Sequence, residues 1–164
     1  MTRNRAAELT VTCGGLGYFP LFPGTVASAA AALVHWALAR ALMPEHRVHF
    51  AITAMAIAFA ATLASVALGQ WAERRFGKKD PKQFVLDEVA GYFLAAAFMP
   101  LWTSTGRVRD ILALFVLFRL FDIVKPFPAN NSQKLASGLG IVADDLIAGL
   151  YAALVLLIVM TITV

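Results

Sequence analysis

Four stretches of this chain, residues 9–39, 48–72, 89–106 and 146–164, contain no Asp, Glu, Lys or Arg. An uncharged, largely apolar run of about 18 residues or more is long enough to cross the hydrocarbon core of a bilayer as a helix. Backbone N–H and C=O groups in lipid find no water, so such a segment must close its hydrogen bonds internally. An all-α, multi-pass transmembrane helical bundle is therefore predicted. Composition agrees, since 60% of the 164 residues are hydrophobic, against about 45–50% in soluble proteins. The length suits a single domain over residues 1–164, and nothing in it reads as a linker.

The net charge of +4 comes from 14 basic residues that cluster only between Arg74 and Lys82, with little aromatic interleaving. That pattern fits a bilayer surface and argues against nucleic acid as a partner. The single cysteine, Cys13, excludes an internal disulfide and a multi-cysteine metal site. No neighbouring His or cation is present to activate it, so a packing role is expected. Arg3 and Arg5 precede no apolar run before a glycine-rich stretch, and no removable leader is expected.

About five helices are predicted. The first, residues 25–42, follows a Pro23-Gly24 breaker; the second covers 48–72, and the short connection makes the two antiparallel. A basic segment, 73–82, leads to a third helix opening at Asp87 and stopping before Thr103. The fourth, 110–124, is ended by Lys125-Pro126-Phe127-Pro128, because proline cannot continue a helix interior. A polar loop with Asn130, Asn131 and Ser132 precedes the fifth, 141–162. The third and fourth reach only about 24 Å each at about 1.5 Å per residue. They are expected to be partly re-entrant or to be wrapped by the longer three.

With a cytoplasmic N-terminus, one face receives Arg3, Arg5, Arg74, Arg75, Lys78, Lys79, Lys82, Arg119, Lys125 and Lys134. The other receives Arg40, Arg47, Arg107 and Arg109, an asymmetry that satisfies the positive-inside rule. The same threading brings the start of the third helix, the end of the fourth, the start of the fifth and the glycine-rich segment to one face.

That face holds Asp87, Glu88, Asp122, Asp144 and Asp145, half of the ten carboxylates. A charge within a span costs about 2.5–3.5 kcal/mol on insertion scales, so acids there are candidates for function. Oxygen ligands from several helices suit a hard divalent cation such as Mg²⁺. The helix dipole offers a plainer account of Asp87-Glu88 and Asp144-Asp145 as first-turn acids, but not of Asp122, near a helix C-terminus. Arg119 lies three residues before Asp122 on the same face, which admits either an ion pair or a metal or phosphate site. Arg119 as a fork and Lys125 as a point charge suit phosphate oxygens, or else anchor the helix end at the head groups. The two acidic pairs each precede a glycine by about a turn, Gly91 and Gly149, an echo read here as convergent helix-start chemistry.

The segment from Gly14 to Thr25 carries Gly24, a hydroxyl at the expected N-cap, Thr25, and Ser28 one turn on. These are candidate phosphate donors, although the Gly-Lys-Ser/Thr ending of a Walker A loop is absent. His35, His46 and His49 are placed in or beside the loop on the opposite face, with spacing that favours packing over metal ligation. Trp36, Trp71 and Trp102 read as interface anchors.

Together these segments resemble the phosphatidylglycerophosphatase A family of bacterial membrane lipid phosphatases. The resemblance rests on Gly17-Tyr18-Phe19-Pro20, Pro23-Gly24-Thr25-Val26-Ala27-Ser28, Asp87-Glu88-Val89-Ala90-Gly91, the run from Phe118 to Pro128, and the run from Gly138 to Gly149, in that order. Ala27 and Leu86 depart from the family pattern without removing a candidate ligand. The resemblance implies Mg²⁺-dependent hydrolysis of phosphatidylglycerophosphate to phosphatidylglycerol and inorganic phosphate, in phospholipid biosynthesis at the cytoplasmic face of the bacterial inner membrane. It carries a functional role onto Asp87, Glu88, Arg119, Asp122, Lys125, Asp144 and Asp145. The alternative is a small transporter, channel or structural membrane protein that binds ions through the acidic cluster. Acids collected at one face argue against a path across the bilayer.

Overall fold

The computed structural model describes residues 3–43, 45–103, 106–127, 129 and 137–162, and every described regular element is helical. The helices are α1 (Arg3–Val11), α2 (Pro23–Leu42), α3 (Arg47–Phe76), α4 (Leu86–Ala97), α5 (Val108–Val124) and α6 (Ser137–Ile162). Single 3₁₀ turns at Leu16–Tyr18 and Met99–Leu101 lead into α2 and out of α4. Three helices, α2, α3 and nearly all of α6, are long and apolar enough to cross a membrane. The polar loop with Asn130, Asn131 and Ser132, together with Pro128 and Lys134, lies outside the described residues.

On α3, bulky apolar side chains mostly face outward and small ones face the core. Along α3 the buried positions after Phe50 are Ala54, Ala58, Ala61, Ser65, Gly69 and Ala72, while Ile52, Met55, Phe59, Leu63 and Val66 are exposed. This distribution suits a lipid solvent. Lipid tails are as apolar as leucine, so helix association relies on close backbone packing over small residues. On α5 the buried residues Ile111, Leu114, Phe118 and Asp122 recur every three to four positions, with Asp110 beside the first of them, the period of one helix face.

The short α4 is the centre of the bundle, packed most extensively against α3 and α6 and also against α2 and α5. Wrapping by the longer helices, one of the two outcomes expected for it, is therefore realised. Five features differ from the sequence reading, the first being that α4 ends at Ala97, well short of the expected stop before Thr103, with Pro100 in the 3₁₀ turn that follows. Helix α1 is additional, tied to α3 by the Arg75–Glu8 ion pair at 3.2 Å. Helix α3 runs a further turn to Gly77, whose φ of 69° ends it, as glycine commonly does. Helix α2 starts at Pro23 behind Phe22, so Thr25 is not its N-cap. Helix α6 begins at Ser137, which sets Asp144 and Asp145 beyond its first turn.

His35 is also corrected. It stands mid-way along α2 and is fully buried, with Nδ1 3.0 Å from the Tyr92 hydroxyl and Nε2 3.0 Å from Met99 Sδ. An interior partner for each ring nitrogen satisfies a polar group that apolar surroundings would otherwise penalise.

Candidate active site

Two glycines fix how closely α4 and α6 cross. A Cβ on Gly91 would land on the backbone carbonyl of Asp145, and one on Gly149 on that of Gly91. The echo of acidic pairs and glycines in the sequence thus marks one crossing point seen from both helices. Because the glycines remove the side-chain spacer, the acids a turn away meet. One oxygen from each of Asp87, Glu88 and Asp145 lies within 4.8 Å of the others.

A third close approach seats α2 against this group. A Cβ on Gly24 would coincide with Glu88 Oε1 and stand 3.4 Å from Arg119 Nη1. Gly24 therefore lets the first turn of α2, with its free N–H groups, lie against the carboxylate of α4 and the guanidinium of α5. Beyond it, Arg119 is ion-paired to Asp122, and Lys125 is ion-paired to Asp144.

These residues line one cavity of about 720 Å³. Its walls come from the segment Gly17 to Gly24, the loop after α3, the start of α4, the end of α5 and the second turn of α6. Asp80, Asp87, Glu88, Asp122, Asp144 and Asp145 face Lys78, Lys82, Arg119 and Lys125, so acids outnumber cations. Asp87, Asp122, Asp144 and Asp145 are themselves buried, and Glu88 Oε2 and Asp145 Oδ1 are buried with no hydrogen-bond partner. A buried carboxylate oxygen left unsatisfied is costly. The three carboxylates of Asp87, Glu88 and Asp145, two of them with an unpartnered oxygen, converge from two helices and fit a hard divalent cation with oxygen ligands.

The basic side suits an anion. Arg119 spends Nη1 on Asp122 while its buried Nε has no partner, which leaves a donor for a phosphate oxygen. Burial works against the Lys125 ammonium, but the hydrogen bond to Asp144 and the charges of Asp144, Asp145 and Asp122 outweigh it and raise its pKa. The stabilisation from that raised value is fully present below the ordinary lysine range and is lost only as pH climbs through the raised one. Lys125 is thus cationic throughout the neutral range.

The dipole explanation separates the two acidic pairs. Asp87 and Glu88 do stand in the first turn of α4; Asp144 and Asp145 do not occupy the first turn of α6, so their burial needs another cause. Thr25 and Ser28 are absent from the cavity wall, and Ser28 Oγ donates to Gly24 O at 2.8 Å within its own helix. Asp80, Lys78 and Lys82 are wall residues that sequence reasoning missed, because a basic run beside a span reads as surface charge. The loop is folded inward by Gly17, where a Cβ would strike the Gln83 carbonyl, and by the Val85 N–H donating to Val11 O at 2.9 Å.

Cys13 sits behind this loop, its thiol 3.7 Å from the Val85 carbonyl. Burial, reinforced by the negative charge of Glu88, pushes the thiol from 9.0 up to about 12. Since the thiolate is the reactive form, alkylation by iodoacetamide at pH 8 is expected to be roughly a thousandfold slower in the folded protein than after denaturation. Mass spectrometry over a time course measures this; equal rates would mean that the thiol is open to solvent.

The family model for phosphatidylglycerophosphatase A matches residues 9–160. A protein of Bacteroides thetaiotaomicron provisionally named as a phosphatidylinositol-3-phosphatase is 30% identical over 152 residues, covering 91% of this chain and 92% of its own. The phosphatidylglycerophosphatase A of Haemophilus influenzae is 42% identical over 80 residues, 48% of this chain and 47% of that one. Its namesake in Escherichia coli is 29% identical over 140 residues, 85% and 74% of the two chains. No solved structure matches.

Proposed function

This chain belongs to the phosphatidylglycerophosphatase A family, and from that premise we propose that it hydrolyses phosphatidylglycerophosphate to phosphatidylglycerol and inorganic phosphate in phospholipid biosynthesis. The observation that carries the reading is the adjacency, in one cavity, of a carboxylate cluster with two unpartnered oxygens and two cations held by carboxylates of their own.

The arrangement divides the five acids into two groups. Asp87, Glu88 and Asp145 are the residues that would hold Mg²⁺. Asp122 and Asp144 orient Arg119 and Lys125, which meet the non-bridging phosphate oxygens together with the first-turn N–H groups of α2 at Gly24. When bound, the metal supplies Lewis-acid polarisation of the phosphoryl group and neutralises its charge. In the reaction a water oxygen bonds to phosphorus, the bond from phosphorus to the lipid's glycerol oxygen breaks, and a proton passes to that leaving oxygen. Arg119 and Lys125 stabilise the charge that builds on the phosphoryl oxygens, and their fixed positions mean little reorganisation during the step.

The site is assigned to the cytoplasmic face of the bacterial inner membrane, in keeping with the bias of basic residues. An ion path is disfavoured because Tyr92, Phe93 and Phe118 fill the core beside the crossing of α4 and α6 and are buried. The relative provisionally named for phosphoinositide hydrolysis shares most of this chain's length, so head-group choice needs its own measurement.

The test is phosphate release by purified protein in detergent from phosphatidylglycerophosphate, with phosphatidylinositol 3-phosphate in parallel, each with Mg²⁺ and with chelator. Release from the first substrate is expected to exceed that from the second. It is expected to fall at least about a hundredfold on chelation, because Lewis-acid stabilisation by a metal is worth several kcal/mol. No release from either substrate removes the phosphatase reading, and release indifferent to chelator removes the metal from it.

A further inference from the structure

A second cavity, of about 470 Å³, lies between α2 and α5. Ala29, Ala32 and Leu33 of α2 face Leu112 and Phe115 of α5 across it, with Trp36 the α2 lining residue farthest from Gly24. Every lining residue is apolar. Ile111 forms a buried part of it, whereas Leu33 and Leu112 are exposed, so the groove is open along its outer side.

The groove and the active-site cavity both border α2 and α5 and share no lining residue. The same two helices carry Gly24 and Arg119, which meet at that cavity. Ala29 lies five residues beyond Gly24 and Phe115 four before Arg119, so the groove begins about 6–8 Å from the phosphate-binding groups on both helices, at about 1.5 Å per residue. From Gly24 to Trp36 the distance along α2 is about 18 Å. Above it, the wall of the active-site cavity on the α2 side is apolar at Leu21, Phe22 and Pro23. A polar cavity and an apolar groove along the same two helices match the two halves of a phospholipid.

Resting on the phosphatase reading above, we propose that the α2–α5 groove holds an acyl chain of the lipid substrate while its phosphate occupies the acidic cavity. Lipid tails are as apolar as the groove wall, so occupancy brings little transfer free energy. What the groove supplies is register: a chain laid along it sets the depth and angle at which the head group meets Arg119 and Lys125. Misplacement by about 1 Å can cost a hundredfold in rate, so the groove acts on kcat/KM for long-chain substrate.

Two variants fill it from different sides, Ala29→Leu from α2 and Leu112→Trp from the exposed edge of α5. Leu154→Phe, in a separate apolar groove formed by Phe98, Leu101, Leu150, Ala153, Leu154 and Leu157, is the control. Each is assayed on long-chain and on dihexanoyl phosphatidylglycerophosphate in the same detergent. Both groove variants are expected to lose about tenfold in kcat/KM on the long-chain lipid and less than about twofold on the short one, with Leu154→Phe unchanged on both. A diazirine placed mid-chain in the long-chain lipid is expected to cross-link peptides of α2 and α5 in preference to α6. Equal losses on both lipids, no loss in either groove variant, or cross-links spread evenly over the helices would overturn the groove assignment. Wild-type protein that releases phosphate from neither lipid would instead remove the underlying phosphatase reading.

Discussion

Replacing Asp145 by Asn is expected to lower phosphate release at least about a thousandfold while raising the melting temperature of the metal-free protein by about 2–4 °C. The two effects have opposite signs for one reason. Asp145 stands with Asp87 and Glu88 inside a 4.8 Å circle and is buried, so without a cation the three carboxylates repel one another in surroundings that screen poorly. At an effective dielectric near 20, a full unit-charge pair 4 Å apart is worth about 4 kcal/mol, and partial neutralisation leaves on the order of 1 kcal/mol to be relieved. For a chain of this size that corresponds to a shift of a few degrees. The amide is nearly isosteric, so packing is kept.

Loss of one of three cation ligands removes charge stabilisation where it develops in the transition state, and single groups of that kind are commonly worth 10²- to 10³-fold or more. Wild-type protein should gain melting temperature on adding Mg²⁺, because a ligand that binds only the folded form stabilises it, and Asp145→Asn should lose most of that gain. Thermal melts in detergent with and without Mg²⁺, alongside the activity assay, measure both effects. A variant that is less stable without metal but keeps its activity would mean that Asp145 is structural.

The second large effect belongs to a residue with no side chain. Gly91→Ala is expected to destabilise the bundle by about 1–3 kcal/mol, the usual cost of overpacking a tight core, and to abolish detectable phosphate release. A Cβ there meets the backbone C and O of Asp145 and stands 2.9 Å from Phe118 Cε2. Backbone cannot rotate away as a side-chain tip can, so α4 and α6 must separate and the carboxylates separate with them. Gly14→Ala is the control: it has positive φ, and nothing lies within 4 Å of its Cβ. It should cost about 1 kcal/mol from backbone strain alone and leave turnover intact. An active Gly91→Ala protein would show that the two helices need not touch for the site to form.

Much of the site could be read from residue types. Asp122 stood out because a negative charge near a helix C-terminus is unfavourable, and the structure gives it Arg119 as a neighbour and a place in the cavity. Arg119 and Lys125 were legible as candidate anion binders, and the ion pair of Arg119 with Asp122 as one alternative, but not that of Lys125 with Asp144. The basic loop was misread because its inward fold depends on Gly17 and Gln83 meeting across more than sixty residues of sequence. The hydroxyl of Ser28 suggests a phosphate donor, yet a serine inside a helix can bond back to the carbonyl four residues earlier, as this one does, a local competition that spacing does not reveal.

From the sequence alone follow the membrane, the helices and the gathering of acids toward one face. Uncharged length and proline position are local quantities, and a bilayer leaves a chain few ways to satisfy its backbone. The tertiary structure alone decided which carboxylates share a cation-sized space and which pair with Arg119 and Lys125. Those outcomes turn on ångström separations at the α4–α6 crossing, set by two glycines far apart in the chain whose meeting no local pattern specifies.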